Sequence, residues 1–104
     1  MNGKYILDDK GEPHKEKNLM KWAKWYENSG QARIVAKTCV GNAEVSTVFL
    51  SLDHSFGNGP PMLYETMIFN SEDNEFGSYL ERYSTRAEAE AGHTRIVNMV
   101  SHKE

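Results

Sequence analysis

Residues 32–40, ARIVAKTCV, and 44–52, EVSTVFLSL, are two runs rich in β-branched side chains with only Gly41-Asn42-Ala43 between them. β-Branched residues are stiff at χ1 and pack well on a pleated surface, and Asn beside Gly supplies the reversal that a hairpin needs. So short a connection cannot carry a crossover, so the two strands must be antiparallel. In the second run Val45, Thr47, Phe49 and Ser51 alternate with Val48, Leu50 and Leu52, the period of two that sends neighbours to opposite faces. MLYETMIF at 62–69 reads as a third strand and FGSYLERY at 76–83 as a fourth, with polar NSEDNE between them.

Helical spacing appears on either side of this block. Tyr5-Ile6-Leu7 running into Asp8-Asp9-Lys10-Gly11 reads as a short strand entering a turn. Asn18 suits the N-cap of a helix that ends near Asn28-Ser29-Gly30, along which Leu19, Trp22, Ala23 and Tyr26 share an apolar face. Trp25 falls off that face. Thr85 and Glu88 form a capping box, and Ala89, His93, Ile96, Val97 and Val100 then share one face of a second helix. Gly92 inside it costs ~1 kcal/mol against alanine, so a close approach to a neighbour is expected there. Helices with one apolar face must lay it on a sheet. The expected fold is α+β in one domain of 104 residues: an antiparallel sheet of four to five strands, with helices near 18–28 and 85–100 packed on one face.

Charge is unevenly distributed. Residues 39–81 hold seven carboxylates and no lysine or arginine, whereas residues 1–38 carry a net +3. Phosphate backbones are held by clustered basic groups, so no direct nucleic-acid contact is expected from the acidic middle. A protein partner with a basic surface fits it better, and a solvated face explains it equally well. The single cysteine, Cys39, excludes an internal disulfide, and the N-terminal MNGKYILDDKGE has no apolar core of a secretory signal. A cytoplasmic protein without a membrane span is expected.

The stretch DHSFGNGPP, residues 53–61, is longer than a hairpin requires. Glycines on both sides of Asn58 free its tip, and Pro60-Pro61 stiffens its exit. Asp53, His54, Phe56, Asn58 and Pro60 are therefore candidate contact residues, with Phe56 either a core plug or an exposed anchor. Glu65 joins them. The alternation sets it among Leu63, Met67 and Phe69, where a carboxylate must pair with an arginine such as Arg82, Arg86 or Arg95, leave at an edge, or hold its proton. A different chemistry is a metal site built from His54, Glu65 and His93, although a histidine on an apolar helix face is more often a satisfied core residue. The glycine-rich run lacks the lysine of a phosphate loop, and no nucleophile motif is present.

The frame WAKWYEN, RIVAKT, VSTVFLSLDHSFGNGPPMLYETMIF and ERYSTRAEAEAGH resembles a group of small proteins of unknown activity encoded by bacteriophages and prophages. The resemblance implies a setting, a phage product in a bacterial cytoplasm, and no chemistry. The expected role is binding: a modulator or inhibitor of a host macromolecule, including a defence protein, with no cofactor and no catalysis. The alternative is a small metal-dependent hydrolase or ligand-sequestering protein using His54, Glu65 and His93.

Overall fold

The computed structural model describes residues 3–55, 59–69 and 79–103. Its centre is a four-stranded antiparallel meander of β3 (Ile34–Val40), β4 (Ala43–Phe49), β5 (Tyr64–Phe69) and β6 (Leu80–Tyr83), in that spatial order. Two further strands, β1 (Tyr5–Leu7) and β2 (Pro13–Lys15), form a separate hairpin, and the helices are α1 (Leu19–Asn28) and α2 (Arg86–Lys103). The α+β class, the antiparallel sheet and both helices agree with the sequence reading.

Register decides which side chains meet α2. Val45 stands opposite Thr38 and Ile68, Thr47 opposite Ala36 and Thr66, and Phe49 opposite Tyr64. The inward row splits into two apolar clusters. Ala43, Val45 and Ile68 pack with Ile96 and Val100 of α2 at one end. Phe49, Leu63, Tyr64 and Tyr83 pack with Ala89 at the other. Each buried Val, Leu, Ile or Phe among them contributes roughly 1.5–3 kcal/mol of transfer free energy.

The caps form as their residues predict. Asn18 Oδ1 accepts the Lys21 N–H at 3.0 Å, and Thr85 and Glu88 exchange the reciprocal bonds of the capping box at 3.1 Å. Gly92 carries the expected close approach: a Cβ there would overlap the Tyr83 hydroxyl oxygen and lie only 2.5 Å from the neighbouring ring carbons.

Helix α1 departs from its expected orientation. Leu19 and Tyr26 are exposed at 58% and 39%, and no residue of α1 is fully buried. The anchors are instead Trp25, which stands edge-on to Phe49 with centroids 5.9 Å apart, and Trp22, whose Nε1–H donates to the Ser51 carbonyl at 3.1 Å. Trp25 thus reaches the side of the sheet that α2 covers, while the helix body packs on β1 instead of lying across the strands. Two large indoles outweigh the Leu–Ala–Tyr stripe, because aromatic side chains carry more buried area than any other residue. Tyr26 is used locally, with the Arg33 guanidinium 4.0 Å from its ring centre.

Strand β4 stops earlier than its composition suggests. Ser51 takes a left-handed backbone, φ 69°, which turns the chain so that its carbonyl accepts from Tyr5 N–H at 2.8 Å as well as from Trp22. A non-glycine residue in this region costs of order 1 kcal/mol, held here by the two bonds to the N-terminal layer. β2 was not foreseen. It is set by the Asp8 carboxylate, which accepts the Lys10 and Glu12 N–H groups at 2.9 Å and closes a turn with Gly11 at φ 79°.

Candidate functional site

The loop after β4 is closed by its own first residue. Asp53 Oδ1 accepts the Ser55 N–H at 2.8 Å and the Met62 N–H at 2.9 Å, and His54 N–H donates to the Met62 carbonyl at 3.0 Å. Partial burial raises the Asp53 pKa, but the two amide bonds outweigh it and leave the carboxyl below its usual range. Asp53 is therefore the clasp of the loop. Gly59 and Pro60 are exposed beyond it, and His54 is half-buried at the base. Phe56 and Asn58 lie outside the described residues.

Glu65 does not face the loop. It sits directly opposite Arg82 on the neighbouring strand, and the Arg82 Nε–H donates to Glu65 Oε2 at 2.9 Å. Of the three arginines considered as partners, Arg82 takes Glu65, Arg86 takes Glu90 and Arg95 takes Glu81. A carboxylate on the same sheet face as Met67 and Phe69 is thus neutralised across the strand pair, which satisfies most of what burial demands of a charge.

His93 lies on the other face of the sheet, 6% exposed. Its Nε2 is 2.8 Å from Thr38 Oγ1 and its Nδ1 is 2.8 Å from Thr47 Oγ1. Thr47 continues to Thr66 Oγ1, which accepts the Tyr83 hydroxyl at 3.1 Å. The chain touches all four strands in turn and lies between the two apolar clusters. A neutral ring with its proton on Nε2 makes it run one way: Tyr83 to Thr66, Thr66 to Thr47, Thr47 to Nδ1, and Nε2–H to Thr38. Burial lowers the His93 pKa, which agrees with that neutral form.

The alternative metal set of His54, Glu65 and His93 is not assembled. Glu65 and His93 occupy opposite faces of the sheet, both are engaged by hydrogen bonds, and among the described residues no three histidine, cysteine or carboxylate side chains converge. The polar seam was missed at the sequence level. Its signal was present in Thr47 and Thr66, inward-facing polar residues on adjacent strands that a buried helix histidine would satisfy.

The acidic middle is also partly spent. Glu65 and Glu81 face arginines and Asp53 faces amides, which leaves Glu44 on the sheet surface, while Glu72, Asp73 and Glu75 lie outside the described residues. No helix among the described residues is long and apolar enough to cross a membrane. In comparisons with known proteins, no family model, no curated protein and no solved structure matches this chain.

Proposed function

We propose that this chain is a small non-catalytic binding protein, phage-encoded as its resemblance implies, which acts in a bacterial cytoplasm by docking its 53–61 loop on a host or phage protein. The observation that carries this reading is the clasp at the loop base, where one aspartate fixes both ends of the segment. A loop held at its root loses less conformational freedom on binding, so more of the contact energy appears as affinity. Nothing in the fold needs a clasped excursion of this length between two paired strands, and long loops with special residues are disproportionately functional. His54, Phe56, Asn58 and Pro60 are the contact residues. The carboxylates at 72–75 bias the partner toward a basic surface, such as that of a host defence protein that handles nucleic acid.

The test is affinity capture from bacterial extract with the intact chain and with His54→Ala/Pro60→Ala. Both sites are at least partly exposed, so the melting temperature should stay close to wild type, since surface substitutions usually stay within ~0.5 kcal/mol. Retention of the specific partner should drop at least tenfold. Equal retention by a variant that melts normally would remove the loop from the functional surface.

A further inference from the structure

The face of the sheet turned away from α2 is more apolar than a solvated face requires. Ile34 and Val48 stand side by side in one cross-strand row, Met67 and Leu80 in the next, and Phe69 in the third. Phe69 and Leu80 are each 41% exposed. Ser46 shares the middle row with Met67, and its small side chain leaves a shallow groove whose walls include Ile34, Val48 and Phe69.

The charges on this face select the occupant. Glu65 and Arg82 neutralise each other, which leaves Lys37 and Glu44, diagonal neighbours on β3 and β4 that no ion pair within the described residues engages. The described face therefore carries two groups of each sign, although the chain as a whole is −3. A uniformly basic or acidic partner would set one of these charges against its like. A second copy of the same face brings both signs, as an isologous contact requires.

Strand geometry shows how two copies fit. Strands lie ~4.8 Å apart and same-face residues ~6.6 Å apart along a strand. A two-fold axis in the plane of the face, midway between Lys37 and Glu44, then passes over Ser46, Met67 and Arg82, the last already neutralised by its own Glu65. It carries Phe69 of each copy onto the Ile34–Val48 wall of the other and Lys37 onto Glu44. We propose that the open face of the sheet is a homodimer interface in which Lys37 of each copy meets Glu44 of the other and Phe69 packs over Ile34 and Val48. The face is small, roughly 15 Å in each direction on these spacings, or about 450 Å² over the two copies, well under the ~1,200 Å² of a standard specific interface. A dimer that dissociates on dilution is therefore expected. This interface is separate from the 53–61 loop and stands or falls independently of it.

Sedimentation of the intact chain from about 1 to 500 μM should show a monomer–dimer equilibrium, the range that micromolar affinities populate. Lys37→Glu and Glu44→Lys should each weaken dimerisation at least tenfold with unchanged circular dichroism and melting. The combined Lys37→Glu/Glu44→Lys variant should recover to within about threefold of wild type, because the reciprocal contact is re-formed with its signs exchanged. A monomer at every concentration overturns the proposal. So does a dimer indifferent to both single substitutions, or one that the double substitution fails to restore.

Discussion

Gly92→Ala should destabilise the protein by about 2–3 kcal/mol, against the ~1 kcal/mol gain that helix propensity alone would give. The added methyl would clash with the hydroxyl edge of Tyr83, which is itself buried. That ring cannot swing aside cheaply, because its hydroxyl donates to Thr66 and its body packs with Phe49, Leu63 and Ala89. Either α2 lifts from the sheet or the Tyr83–Thr66 bond breaks, and the polar seam loses its first link. In a domain of this size each kcal/mol moves the melting temperature by about 4–8 °C, so a thermal melt reads the effect directly. Tyr83→Leu in the Gly92→Ala background should recover part of the loss by vacating that volume. An alanine variant as stable as wild type would mean that helix and ring do not meet at this distance.

The second large effect is a pH dependence centred on His93. Its pKa is lowered in the folded state by burial, while in the unfolded chain a histidine titrates near 6.5. Above about 6.5 both states are neutral and the full stability is present. As pH falls below that value the unfolded chain takes up a proton that the native chain refuses, so stability is lost progressively down to the folded-state pKa. A protonated ring would also offer a second N–H to Thr47, whose oxygen is already committed to Thr66, reversing the donor order of the seam. Asp53 and Glu81, both lowered in the fold, contribute in a separate window: their stabilisation is lost only in more acidic solution, around and below the ordinary carboxylate pKa of ~4. Chemical denaturation from pH 7.5 to 5 should therefore show falling stability in wild type and a flatter profile in His93→Gln, whose amide can still donate and accept. A wild-type profile that is flat over this range would contradict a buried neutral ring.

What the sequence makes legible here is what local chemistry decides. The Gly41-Asn42-Ala43 reversal, the alternation in β4 and β5, and the caps at Asn18 and Thr85 each depend on residues within a few positions of one another. The strand meander and both helices follow from them. The orientation of α1 was not legible, because Trp22 and Trp25 are chosen by where Ser51 and Phe49 stand, 29 and 24 residues away. Ser51 carries no glycine-like signal for its left-handed turn; that conformation is imposed by Tyr5 and Trp22. For the same reason the alternation correctly separated Glu65 from Thr66 but did not identify Arg82, among three arginines, as the partner across the strand. At the candidate site, the bonds from Asp53 to the Ser55 and Met62 amides depend on where the chain returns nine residues later, which local pattern does not show.

Three of the residues singled out for chemistry are engaged in holding the fold: Glu65 by Arg82, His93 by Thr38 and Thr47, and Asp53 by the loop amides. The proposed binding role goes with the absence of a metal centre at His54, Glu65 and His93. Metal analysis of the untagged protein, purified without chelators after growth with added zinc, tests this most directly. Zinc well below one equivalent per chain, unchanged in His93→Gln and Glu65→Gln, is the predicted result. One equivalent of zinc that is lost in either variant would contradict it.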